Sequence, residues 1–181
     1  LVIDTTFLPV ATVTRNYQVA LVASGGMAPY SWHLADGVLP DSLSLNEAGL
    51  LAGVVDEPGP VEFTVGVTDG DGRETNRGLS LTTLWPLVIL TPSLPAGITG
   101  ADYAFSMVGS GGSDPYTWEI SDGSLPTGLT LSIDGEITGI PTVATDAPVT
   151  IRLTDSAGRV AAFPYQLGVS VGGVRQTIDA R

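Results

Sequence analysis

The sequence repeats itself once, with a constant offset of 86 residues and no insertion or deletion between the copies. The paired motifs keep the same order in both copies: Leu8-Pro9 and Leu94-Pro95, Tyr17 and Tyr103, Pro29-Tyr30-Ser31-Trp32 and Pro115-Tyr116-Thr117-Trp118, Thr68-Asp69 and Thr154-Asp155. A repeat of this length is the size of a small domain, because it is long enough to enclose its own core. The offset therefore predicts two tandem domains of one fold.

The domain boundary is predicted at Leu84-Trp85-Pro86. We predict residues 1–84 as repeat 1 and residues 85–171 as repeat 2, and residues 172–181 as a tail or the start of a further unit. The joint has no Gly/Ser spacer, and proline restricts both itself and the residue before it. We expect a stiff joint and a semi-rigid rod, with Trp85 packed in the crease between the domains.

The apolar residues recur with a period of two, which is typical of half-buried strands. Phe63, Val65 and Val67 alternate with small or polar residues, and 23 glycines and 13 prolines punctuate the gaps. We predict about seven strands in repeat 1 and equivalent strands 86 residues later, arranged as an antiparallel two-sheet sandwich with Greek-key crossings. The predicted strands lie near residues 1–4, 17–23, 30–34, 43–45, 50–52, 62–68 and 75–83.

Composition narrows the possible functions. The chain has no cysteine, so it has no disulfide, thiolate metal site or cysteine nucleophile, and it has no lysine. A formal charge of −12 repels phosphate backbones, so nucleic-acid binding is not expected. No apolar run approaches the ~20 residues that a membrane-spanning helix needs, so no membrane insertion is expected.

The ordered motifs resemble the bacterial putative Ig domain family, which is related to dystroglycan-type cadherin-like domains. The likeness covers both copies and is carried by the paired LP motifs, GG-x-x-PY-x-W at residues 25–32 and 111–118, LPTGLTL at 125–131, G-x-I-T-G-x-P at 135–141, and V/L-T-D-x-x-G at 67–72 and 153–158. The resemblance implies an all-β chain of two tandem Ig-like/cadherin-like Greek-key β-sandwiches on a secreted or surface-attached bacterial protein. It supplies no catalytic residue.

Asp69 and Asp71 are the candidate metal ligands. In Asp69-Gly70-Asp71-Gly72 two carboxylates stand two residues apart on a turn, as in oxygen-ligated calcium sites. Four further acids could approach them in space: Asp4, Asp36, Asp56 and Glu57. Asp and Gly are also the commonest turn residues, so a purely structural hairpin is the alternative. Repeat 2 reads Asp155-Ser156-Ala157-Gly158 at the same place. Calcium is the only cofactor that the sequence suggests.

Trp32, Trp118 and His33 are the other candidates. Either tryptophan could stack on a sugar ring, but a tryptophan in the third strand of a sandwich more commonly fills the core. His33, the only histidine, is expected on an outer sheet face between two inward-pointing neighbours, and its equivalent is Glu119. A catalytic triad is therefore not predicted.

The sequence favours a noncatalytic module of an extracellular or cell-surface protein, serving as a spacer and an adhesion or protein-interaction segment. Its expected partners are a protein or a cell-surface glycan, together with neighbouring Ig-like repeats of the parent chain. The alternative is a carbohydrate-binding accessory of a secreted hydrolase.

Overall fold

The computed structural model describes residues 1–172, and these residues form strands, turns and loops without a helix. The chain divides into two compact units, Leu1–Pro86 and Leu87–Arg181. The predicted tail, residues 172–181, lies outside the described residues except for Gly172. Residues 1–172 contain no helical segment able to span a bilayer.

Repeat 1 is a β-sandwich of two main sheets. One sheet has the strand order β2-β9-β8-β5, the other has the order β3-β7-β6, and β1 and β4 form a separate pair. The strands are β1 (Val2–Ile3), β2 (Ala11–Thr12), β3 (Asn16–Ala20), β4 (Ala23–Ser24), β5 (Ser31–Gly37), β6 (Leu43–Leu45), β7 (Leu50–Val54), β8 (Gly59–Thr68) and β9 (Glu74–Leu84).

The described part of repeat 2 has the same topology, with sheets β11-β18-β17-β14 and β12-β16-β15 and the pair β10-β13. Its strands are β10 (Val88–Ile89), β11 (Gly97–Ile98), β12 (Tyr103–Ser106), β13 (Gly109–Ser110), β14 (Thr117–Gly123), β15 (Leu129–Leu131), β16 (Glu136–Gly139), β17 (Thr145–Thr154) and β18 (Val160–Ser170). The predicted fold of two Greek-key β-sandwiches is confirmed.

Each repeat encloses its own core, built from the inward positions of the period-two pattern. In β8, Val65 and Val67 are fully buried and Phe63 is nearly so. The equivalent residues Ile151 and Leu153 are also fully buried in β17. Burying a side chain of this size stabilises a fold by about 1.5–3 kcal/mol. Each repeat has a buried hydrophobic cluster of its own, so each has its own source of this stability.

Two details of the strand prediction were wrong. Residues 17–23 do not form one strand, because the chain leaves β7 after Ala20 and β4 pairs instead with β1. The short strands β2 and β11 were not predicted, and they run parallel to β9 and β18, so the sandwich is not wholly antiparallel. In both repeats the first strand forms the separate pair, and the second strand lies at the edge of the four-stranded sheet.

Glycine at the β6–β7 and β15–β16 turns allows the hairpin to close over a tryptophan. Gly49 and Gly135 have φ values of 84° and 90°, and a Cβ on either would lie 2.7 Å from the indole Nε1 of Trp32 or Trp118. A side chain would therefore be strained by the backbone and blocked by the ring. Asp134 and Gly135 form the tight turn of the β15–β16 hairpin.

Candidate functional site: the loop end of each repeat

Three connections meet at one end of repeat 1, which we call its loop end: residues 25–30, 46–49 and 69–73. They are held together by backbone hydrogen bonds, since Gly70 donates its N–H to the Met27 carbonyl at 2.6 Å and Trp32 donates to Glu47 at 3.0 Å. The Tyr30 hydroxyl donates to the Gly25 carbonyl at 2.6 Å. Loops fixed in this way present side chains from a rigid scaffold.

Asp69 is the residue that organises the loop end of repeat 1. Its side chain is fully buried, with 0% exposure. Oδ1 accepts the backbone N–H groups of Asp71 at 3.0 Å and Arg73 at 2.9 Å, and Oδ2 accepts that of Met27 at 3.3 Å. One carboxylate therefore shapes the β8–β9 turn and ties it to a loop 42 residues away in sequence.

Asp155 performs the same role in repeat 2, where an arginine side chain adds to the backbone hydrogen bonds. Its Oδ1 accepts the N–H groups of Ala157 and Arg159, and its Oδ2 accepts that of Ser113 at 3.0 Å. The Arg159 guanidinium also reaches Oδ2, with Nε at 2.9 Å and Nη2 at 2.7 Å. In repeat 1 the equivalent Arg73 pairs with Asp71 and lies farther from the buried carboxylate, with its Nε 3.7 Å from Asp69 Oδ2.

These hydrogen bonds set the protonation state of both carboxyls. Burial by itself raises the pKa of Asp69, but the backbone N–H groups of Arg73, Met27 and Asp71 outweigh it and hold that pKa below its ordinary value. For Asp155, burial again raises the pKa, and the N–H groups of Arg159 and Ser113 with the Arg159 guanidinium lower it further than burial raises it. Both carboxyls are therefore charged at neutral pH.

The candidate metal ligands face different surroundings. Asp69 is buried against backbone donors, whereas the Asp71 carboxylate lies toward the surface and pairs with Arg73. Asp56 and Glu57 lie at the opposite end of the sandwich, because β8 runs from Gly59 there to Thr68 at the loop end. In residues 1–172, no three His, Asp or Glu side chains are placed to hold one metal ion. The structure accounts for Asp69 as a turn-forming residue, and calcium binding by Asp69 and Asp71 stays a prediction.

Trp32 and Trp118 are core residues. Trp32 is 4% exposed and Trp118 is 6% exposed, each inside the hydrophobic cluster of its own repeat. The prediction that they fill the space between the sheets is confirmed. Neither ring offers a face on which a sugar could stack.

His33 lies on the outer sheet face, as predicted, with its Nε2 3.2 Å from a carboxylate oxygen of Glu74. Glu119 is equally placed in repeat 2 and pairs with Arg152 at 3.0 Å. Both neighbours of His33 lie on the inner face, as expected, because Trp32 pairs with the buried Val67 and Leu34 pairs with the buried Val65. Leu34 is still 38% exposed, since β5 is an edge strand of its sheet.

A family comparison matches the chain twice. The profile described as Putative Ig domain matches residues 1–84 and again residues 86–170. The chain belongs to the putative Ig domain family. Each of the two matches covers one sandwich. A search of curated proteins finds no relative of the sequence.

Solved structures show the same fold in other proteins. Extracellular domains 3–5 of Drosophila OTK match with a TM-score of 0.64 at 16% identity, over 90% of this chain and 59% of that one. The C-terminal fragment of intimin, solved with the intimin-binding domain of its translocated receptor, matches with a TM-score of 0.55 at 16% identity, over 93% of this chain and 63% of that one. A putative alpha-galactosidase/melibiase from Bacteroides fragilis matches over 46% of this chain and 17% of that one, with a TM-score of 0.41 at 20% identity. This chain thus spans less than two thirds of the structures it matches.

Proposed function

We propose that this chain is a noncatalytic tandem Ig-like segment of an extracellular or surface-attached bacterial protein, where it serves as a spacer and as a protein-interaction module. The observation that supports this most directly is that each repeat closes a complete core while only Trp85, Pro86 and Leu87 separate β9 from β10. Self-contained sandwiches joined so closely extend a polypeptide at a fixed length per copy. The stiffness of the joint stays a prediction.

The interaction role is supported by the loop ends. The buried carboxylates of Asp69 and Asp155 fix the loops, while neighbouring side chains remain at the surface, including Met27 at 54% exposure and Ile133 at 63% exposure. Loops held by a rigid sandwich lose little conformational freedom when a partner binds. The alternative, a carbohydrate-binding accessory, loses its sequence argument because Trp32 and Trp118 are buried.

The test is to probe an array of extracellular proteins and an array of cell-surface glycans with the labelled chain, with calcium and with a chelator. We expect saturable binding to a protein partner, weakened by Met27→Asp and unchanged by Thr82→Ser, a conservative change on β9. Binding to glycans alone would support the accessory role instead. Binding that disappears with the chelator and returns with calcium would show a calcium requirement, and loss of that requirement in Asp71→Asn would assign it to Asp69 and Asp71.

A further inference from the structure

Repeat 1 has a pocket at the end opposite its loop end. The pocket has a volume of about 400 Å³ and opens to solvent, within the range typical of small binding clefts. It lies between the turn that precedes β6 and the turn that joins β7 to β8. Its apolar lining residues are Pro40, Val55, Pro58, Pro60 and Val61, and its acidic lining residues are Asp41, Asp56 and Glu57. We call it the acidic pocket.

Hydrogen bonds hold both turns of the acidic pocket in place. Thr83, which is 1% exposed, places its hydroxyl 2.8 Å from the Glu57 carbonyl and 2.9 Å from the Gly59 carbonyl. On the other side, Val54 donates its N–H to the Ser42 carbonyl at 3.2 Å. A buried hydroxyl whose single proton lies within reach of two carbonyls of one turn holds that turn in place before any partner arrives.

At the same place in repeat 2, a hydrogen bond joins the two turns. There Thr142 donates its N–H to the Thr127 carbonyl at 2.9 Å, and its hydroxyl lies 3.3 Å from the same oxygen. The equivalent positions in repeat 1 are Asp56 and Asp41, two carboxylates on facing turns. Carboxylates on facing turns attract a cation to the space between them. Repeat 1 thus carries negative charge where repeat 2 has a hydrogen bond.

The cation is not supplied by the described part of the chain. Among the ion pairs of residues 1–172, none involves Asp41, Asp56 or Glu57. The third acidic residue, Glu57, is replaced in repeat 2 by Val143, so its charge is specific to repeat 1. Thr83 is replaced by Val169, so the hydroxyl that holds the turn is also specific to repeat 1.

We propose that the acidic pocket binds an arginine side chain presented by a partner protein. The aliphatic stem of arginine packs against the proline and valine walls, and its planar guanidinium faces the carboxylates. Arginine suits the pocket better than a metal ion, because the walls are apolar and no three carboxylates converge on one point. It suits the pocket better than lysine, because a guanidinium is more weakly hydrated than an ammonium.

The inference rests on the proposed protein-interaction role and names one contact within it. If the arginine contact fails while the chain still captures a protein partner on the array, only this inference is wrong. If both fail, the proposed function is wrong as well.

The test is a nuclear magnetic resonance titration of the whole chain with the peptide acetyl-Gly-Arg-Gly-amide. We expect shifts confined to the backbone amides around residues 40–43, 55–61 and 83, with a dissociation constant of about 1–10 mM that weakens as salt is added. The matched control peptide carries citrulline, which has the shape of arginine without its charge. The internal control is repeat 2, whose equivalent residues should not shift.

Two variants separate binding from folding. Asp41→Thr with Asp56→Thr installs the residues of repeat 2, so it should fold at least as well as the parent chain and lose at least tenfold in affinity for the arginine peptide. Glu57→Gln tests the third carboxylate with its backbone contact to Thr83 retained. Equal shifts with the citrulline peptide, equal shifts in repeat 2, or no shift with arginine would overturn the proposal. Shifts with calcium chloride but not with arginine would make the pocket a metal site instead.

Discussion

At the scale of single residues, Thr14 is the clearest point of backbone strain. Its φ is 64°, and it is the only residue other than glycine with a positive φ in residues 1–172. A left-handed conformation costs a β-branched residue about 1–2 kcal/mol, and glycine in its place costs about 0.5–1 kcal/mol in chain entropy. We expect Thr14→Gly to raise the free energy of unfolding of repeat 1 by about 0.5 kcal/mol, measured by urea denaturation.

Repeat 2 provides the matched control, because Gly100 occupies the equivalent position with φ 76° and has open space around its Cα. Gly100→Thr should therefore destabilise repeat 2 by about the same amount, with no steric clash to add to it. A stabilising effect of Gly100→Thr would show that the turn does not impose the strain.

Trp32 tests the core of repeat 1. Replacing a buried indole with alanine leaves a large cavity, so we expect Trp32→Ala to lower the free energy of unfolding of repeat 1 by about 3–5 kcal/mol. Phe7→Ala is the control, because Phe7 is 77% exposed and its replacement should cost less than about 1 kcal/mol. Circular dichroism follows both. A folded Trp32→Ala variant of parental stability would contradict the buried role.

Asp155 should make stability depend on pH. Because its pKa is depressed in the folded state, its charge stabilises the fold fully above the ordinary pKa of an aspartate, about 4, and the contribution is lost as the pH falls through the folded pKa. Asp155→Asn keeps the Oδ1 acceptor and removes the charge. We expect the variant to be less stable at pH 7 and the difference to shrink below about pH 4. A difference that is constant from pH 7 to pH 3 would rule out the charge as its source.

At the scale of elements, what the sequence predicted depended on strand length. The ten residues of β8 complete several cycles of the period-two pattern, so both the strand and its buried face could be read directly. The two residues of β2 complete none, and they pair parallel to β9, a contact that a local pattern cannot encode. Short strands set by a distant partner are invisible to periodicity.

The candidate site divides in the same way. Asp69 could be found because Asp-Gly pairs mark a turn, but its bond to the Met27 N–H joins residues 42 apart and needed the structure. The acidic pocket has a signal in the sequence, because Asp41 and Asp56 are replaced by Thr127 and Thr142 at the equivalent positions of repeat 2. The two substitutions do not show that their turns face each other, which only the structure does.

Tyr17 ties β3 to the segment before β2, since its hydroxyl donates to the Pro9 carbonyl at 3.1 Å. Burial raises the pKa of Tyr17 to about 12. The hydroxyl therefore stabilises the fold fully below about pH 10, the ordinary pKa of tyrosine, and the contribution is lost as the pH rises toward 12. We expect Tyr17→Phe to cost about 1 kcal/mol at pH 7 and less at pH 11, measured by urea denaturation. A cost that grows with pH would contradict this.

At the scale of the whole molecule, the two cores predict two independent unfolding events. Pulling the chain from its ends in a force spectrometer should give two steps, each lengthening the chain by about 25–30 nm, because a fully extended residue spans about 0.33–0.36 nm. Trp32→Ala should weaken one step and leave the other unchanged. A single step of twice that length would mean that the repeats unfold as one cooperative body.

Two complete interiors in one polypeptide also allow the copies to diverge. A substitution that weakens one sandwich leaves its duplicate intact, so surface positions in either copy can change without endangering the other. The facing carboxylates of repeat 1 and the paired threonines of repeat 2 are such a divergence at equivalent places. Duplication thus allows the surface of one copy to change while the fold of the second copy is kept.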